Sequence, residues 1–192
     1  MKKVDLQLKI LKIYKNLILN RQINRDDIIN LYIEYLKLCM ILGTNNPSFE
    51  DDIGKYDLNT NCYCYALGIT FPKIFYKKYM KYSIEPFCHN LGFASRHLFA
   101  ATENEKLENF YRDLDVLNIK YYESGLNQDN FYGGYKIALY LSRYDFHFLR
   151  QNVDGSWSEK RGYAGNVIKR DMIEPKYGSY KLKRVLEIVK PI

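Results

Sequence analysis

The chain has 192 residues, of which 47% are hydrophobic, and a formal net charge of +7. That length and apolar content suffice to bury a core, which excludes a disordered chain and points to one main domain with an appendage. The positive balance suits an anionic partner, an acidic protein or polymer ahead of nucleic acid, because the lysines are scattered and form no block of like charge.

Lys2, Lys3, Asp5 and Lys9 stand where the apolar core of a secretory signal would lie, so no signal peptide is expected. No stretch reaches the roughly 18 uninterrupted apolar residues of a membrane span, since even Ile33 to Leu42 is broken by Glu34 and Lys37. A cytoplasmic protein without membrane association follows as the expectation. Cys39, Cys62, Cys64 and Cys88 are irregularly spaced and read as thiols, not as a disulfide framework.

From Leu6 to Leu19, Ile10, Leu11, Tyr14, Leu17 and Ile18 recur at helical spacing between lysines, which predicts an amphipathic helix. A second helix is expected to begin near Asn24 to Asp26, where short polar side chains cap free N–H groups, and to run to Gly43. Together they predict an N-terminal helical hairpin over residues 1–45, set off from a core domain at 46–192 by the polar run Thr44 to Asp52.

Cys62 opens a predicted helix in Asn61-Cys62-Tyr63-Cys64-Tyr65-Ala66-Leu67-Gly68. Thr102 and Glu105 form a capping pattern ahead of a helix through Leu107, Phe110, Tyr111, Leu114 and Leu117. Asn118 to Tyr122 reads as a short extended segment, and Gly133-Gly134 as a turn into a strand from Tyr135. The aromatic and aliphatic run to Leu149, broken near Ser142-Arg143, predicts two strands with His147 on the second. Asp154-Gly155 predicts a two-residue hairpin turn with Trp157 on the return, and residues 180–189 alternate as a strand does.

A helix-borne cysteine followed by a strand-borne histidine suits thiol chemistry. An ordinary thiol has a pKa of about 8.5, so a nucleophilic cysteine needs help in losing its proton. A helix N-terminus favours the thiolate, a neutral imidazole accepts the proton, and helix N–H groups can receive the oxyanion. The plain alternative is that Cys62 is a small core residue and His147 a buried, hydrogen-bonded one.

The words Asn-Cys-Tyr-x-Tyr-Ala-Leu at 61–67, Tyr-Lys-Ile-Ala-Leu-Tyr-Leu-Ser at 135–142, Asp-Phe-His-Phe-Leu-Arg-Gln at 145–151 and Asp-Gly-Ser-Trp-Ser-x-Lys-x-Gly at 154–162 resemble the papain-like superfamily, near its NlpC and CHAP types. The similarity spans residues 59–175. It implies an α+β papain-like fold, a helix-borne Cys packed on a small antiparallel sheet, with Cys62 as nucleophile and His147 as base. The implied reaction is cleavage of a peptide, isopeptide or side-chain amide in a protein or peptide substrate. An inactive basic binding or inhibitor protein and a glutamine deamidase are the competing readings.

This chain departs from the relatives at Trp157-Ser158-Glu159-Lys160-Arg161-Gly162, where they read Trp-Ser-His-Lys-x-Gly. Glu159 can orient His147, as an acid does in other triads. A two-residue turn would instead pair Arg150 with Glu159 on the face away from His147, and one residue of slip reverses that. Asn166 and Asp171 are further candidates for the orienting group.

Asn59 or Asn61 can supply an oxyanion donor, although Asn61 and Thr60 also suit a helix cap. Cys64 lies about 200° around the helix from Cys62 and should face the core. A zinc site from Cys62, Cys64, Cys88 and His89 is disfavoured because adjacent Cys88 and His89 fit one tetrahedral ion poorly, so no metal or cofactor is expected. His97 reads as a surface or partly buried histidine, and the 19 tyrosines as packing.

Overall fold

The structure is a computed structural model that describes residues 3–19, 23–52, 56, 60–70, 90–97, 99–163 and 165–191. It is an α+β arrangement of helices and one antiparallel sheet. α1 (Lys3–Leu19) and α2 (Arg25–Leu42) lead the chain. Asn24 caps α2 by accepting the Asp27 N–H at 2.8 Å. Leu6, Ile13 and Leu17 of α1 pack with Ile28, Tyr32, Tyr35 and Leu36 of α2 inside the main core. The Tyr14 and Tyr35 rings lie 6.0 Å apart. Among the described residues no helix is long and apolar enough to cross a membrane.

A six-residue helix, α3 (Cys62–Leu67), follows and is buried throughout. So short a helix is unstable alone, because nucleation costs more than a single turn of hydrogen bonds returns. Caps and tertiary contacts hold it. The Asn61 side chain accepts the Tyr63 and Cys64 N–H groups at 3.1 Å each. Gly68 ends the helix at φ 67°, a left-handed conformation that glycine adopts without steric cost. The Tyr63 hydroxyl donates to Asp113 at 2.9 Å, and the Tyr65 hydroxyl to Ser158 at 2.7 Å.

α4 (Glu103–Val116) begins with the reciprocal box between Thr102 and Glu105. The strands are β1 (Lys120–Ser124), β2 (Tyr135–Leu141), β3 (Phe146–Gln151), β4 (Trp157–Lys160), β5 (Val167–Arg170), β6 (Lys176–Tyr177) and β7 (Tyr180–Val189). They form one sheet in the order β1-β7-β2-β3-β4-β5, with β6 pairing β7. β2 is buried along its whole length. Its odd residues Ile137, Leu139 and Leu141 join the core shared with the four helices, and its even residues Ala138 and Tyr140 join a smaller cluster with Leu149, Trp157 and Val185. The two-residue alternation of a pleated strand feeds both clusters at once.

The β3–β4 connection differs from the predicted two-residue turn. It is a five-residue loop, 152–156, closed by the Asn152 N–H on the Ser156 carbonyl at 2.7 Å. The Asp154 side chain accepts the Ser156 N–H at 3.0 Å inside it. Leu149 therefore pairs with Glu159 and Arg150 with Ser158, so the expected Arg150–Glu159 pair does not form. Arg150 instead makes a buried ion pair with Asp52, and its guanidinium lies 4.3 Å from the Tyr65 ring centroid. The short strands β5 and β6 were not predicted from the sequence.

Candidate active site

Cys62 is the first residue of α3 and is 5% exposed. His147 is the second residue of β3 and lies against the Tyr177 ring, with centroids 5.7 Å apart at 15°. Both line a cavity of about 390 Å³ whose walls also include Asn61, Asn90, Asp145, Phe146, Arg161, Tyr163 and Tyr180. Asn90 sits at the head of a loop tied down by Asp113, which accepts the Gly92 and Ser95 N–H groups at 2.8 and 2.7 Å. Gly92, at φ 91°, admits no side chain, because a Cβ there would stand 1.9 Å from the His97 carbonyl oxygen.

Glu159 is fully buried on β4 and hydrogen-bonds His147 Nε2 through Oε2. Its other oxygen, Oε1, accepts from Arg170 Nε at 2.7 Å and Arg161 Nε at 3.3 Å. Tyr177 completes the group: its hydroxyl accepts from Arg161 at 2.7 Å and Arg170 at 2.8 Å. Burial works against the Glu159 anion, but hydrogen bonds from His147 and Arg170 outweigh it and hold the carboxyl down at about 2. An ionised carboxylate only accepts, so Nε2 must carry hydrogen, and Nδ1 is the ring nitrogen left for Cys62.

Burial likewise disfavours the His147 cation, yet hydrogen bonding to Cys62 and Glu159, reinforced by their charge, raises it to about 9. The protonated form of His147 is thereby favoured at neutral pH. Asn61 acts as the cap of α3 through its side-chain oxygen. Cys64 faces the core, where burial pushes its thiol well above the ordinary range. Asn166 and Asp171 are exposed, and the Nε2 position they were candidates for is held by Glu159. His97 is exposed and donates from Nδ1 to the Ser95 carbonyl at 2.7 Å. Asn59, Cys88 and His89 lie outside the described residues. No cluster of potential metal ligands occurs among the described residues.

Arg170 and Tyr177 escaped the sequence reading. The usable signal was Val167-Ile168, a β-branched pair after a glycine-rich turn, which as the start of a strand beside β4 places Arg170 opposite Trp157 on the Glu159 face. A buried carboxylate between a histidine and an arginine can fix the imidazole's orientation and support its positive form. No protein-family model, no curated protein and no solved structure matches the chain.

Proposed function

We propose that the protein is a thiol hydrolase that cleaves a peptide, isopeptide or side-chain amide bond. The observation that carries this reading is that Cys62 and His147 line one cavity while Glu159 holds the imidazole from its buried side. We read α3 on the sheet as a papain-like core over residues 46–192, with α1 and α2 as its helical-hairpin extension.

In this reading Cys62 supplies the nucleophilic sulfur and His147, held by the Glu159 anion, is its proton partner. The sulfur attacks the amide carbonyl and gives a tetrahedral oxyanion. Asn61 already takes the N–H groups of Tyr63 and Cys64, and its carbonyl takes that of Tyr65 at 3.0 Å. Cys62's own N–H is then the oxyanion donor that α3 contributes. His147 gives its proton to the departing amine, becomes neutral, and next accepts one from the water that hydrolyses the thioester.

The test compares iodoacetamide alkylation and amide hydrolysis by the native protein with those of Cys62→Ala and His147→Ala. Selective alkylation of Cys62 at pH 6–7, and loss of hydrolysis in both folded variants, is the expected result. Alkylation that merely follows an ordinary thiol near pH 8.5, with hydrolysis intact in Cys62→Ala, overturns the reading.

A further inference from the structure

We propose that Arg161 selects substrates carrying a carboxylate next to the scissile amide, an assignment of substrate class that rests on the thiol hydrolase reading. Two arginines approach Glu159, but they are placed differently. Arg170 directs both Nε and Nη2 at Glu159 and does not line the cavity with Cys62. Arg161 lines that cavity, and its side chain is 54% exposed. Its Nε faces Glu159 and its Nη2 the Tyr177 hydroxyl. Among the described residues Nη1 has no protein partner, so one edge of a fixed guanidinium is left for a ligand.

The acidic group on the cavity wall is already satisfied. Asp145 accepts the Phe146 N–H on Oδ1 at 2.8 Å and the Tyr180 hydroxyl on Oδ2 at 2.7 Å. Arg161 also follows Glu159 by two residues on the same side of the hairpin, which sets it beside His147 and therefore beside the bond to be cut. A planar guanidinium edge matches a carboxylate in shape and charge. Phe146, Tyr163 and Tyr180 supply the rest of the wall with aromatic surface.

Two measurements test this. The first compares iodoacetate with iodoacetamide as alkylating agents of Cys62, which reads the charge preference of the cavity without needing turnover. The ratio of the two rates should drop severalfold in Arg161→Gln and recover in part in Arg161→Lys. The second uses three otherwise identical fluorogenic peptides with Glu, Gln or Lys beside the scissile bond. The Glu peptide should show a kcat/KM about tenfold above the Gln peptide, the discrimination that one charge-assisted contact supports. Arg161→Gln should abolish that preference, and Arg161→Glu should turn it towards Lys.

An alkylation ratio and a peptide preference that both survive in Arg161→Gln, or a native preference for Lys, overturn the assignment while leaving the hydrolase reading intact. Cleavage of none of the peptides, together with alkylation of Cys62 no faster than an ordinary thiol, removes the hydrolase reading and this assignment with it. Circular dichroism of each variant keeps loss of folding apart from loss of selectivity.

Discussion

Glu159 pairs with Leu149 across β3 and β4, so its carboxylate emerges on the same sheet face as His147 and meets the imidazole from below. The contact is buried, and Arg170 closes it from the far side. Glu159 thereby fixes the ring's orientation and shares with Cys62 in favouring its charged form.

Glu159→Gln should therefore lower kcat by about tenfold or more while leaving KM little changed, because it removes the anion that steadies the imidazolium. The high-pH limb of the activity profile, expected near pH 9 from His147, should move to lower pH in this variant. An unchanged upper limb would show that Glu159 does not support the charged ring.

Stability should depend on pH at both ends. Glu159 is held at about 2 against an ordinary 4.5, so its contribution is complete above 4.5 and is lost as pH falls through 2. His147 is raised to about 9 from 6.5, so its contribution is complete below 6.5 and is lost as pH rises through 9. The two overlap in the His147–Glu159 contact, to which Cys62 adds on the histidine side and Arg170 on the carboxylate side. Denaturant midpoints measured from pH 2 to 10 should form a plateau between about 4.5 and 6.5 and decline on either side.

Asn61→Ala should cost about 1 kcal/mol of stability, the usual worth of an N-cap side chain. Its larger effect should be on chemistry, since the first turn of α3 carries Cys62. Alkylation of Cys62 should slow severalfold in Asn61→Ala and recover in Asn61→Asp, which restores an acceptor for the Tyr63 and Cys64 N–H groups. Equal alkylation rates in all three proteins would separate the cap from the reactivity of the thiol.

The Asp52–Arg150 pair offers a purely structural contrast. Both side chains are almost wholly buried, and Arg150 also donates to the Tyr65 carbonyl at 3.4 Å and hydroxyl at 2.9 Å. Asp52→Ala leaves an unpaired guanidinium in the interior and should destabilise the fold by about 3–5 kcal/mol. Replacing both residues by apolar ones of similar size should recover much of that loss. Chemical denaturation of the single and double variants measures the difference.

The helices were legible because their signals are local. Asn24 and the Thr102–Glu105 box mark helix starts, and the apolar spacing in α2 and α4 marks their inner faces, whereas α1 turns Leu6, Ile13 and Leu17 inward and leaves Leu11 and Ile18 of the expected stripe exposed. Cys62 and His147 stood out for the same reason, each in a short patterned segment. The register of β3 on β4 was not legible, since it depends on how Asn152, Asp154 and Ser156 close their loop, and Asp154-Gly155 alone suggests a tighter turn. The partner of Arg150 was hidden too, because Asp52 lies 98 positions away in the chain. β5 and β6, of four and two residues, are too short for periodicity to announce.

One wall of the cavity hangs on Lys160. Its ammonium gathers the backbone carbonyls of Gly162, Tyr163 and Gly165 at 3.0, 3.0 and 2.9 Å. Arg161 and Tyr163 can accordingly change without losing the tether, whereas Gly162, at φ 56°, and Gly165, where a Cβ would stand 2.0 Å from the Arg161 carbonyl oxygen, are held to glycine. Such a tether carries the side chains that face the pocket on a backbone fixed from beneath, so that selectivity can drift between descendants of this chain chiefly at Tyr163, while Arg161 stays bound to the group that holds the imidazole.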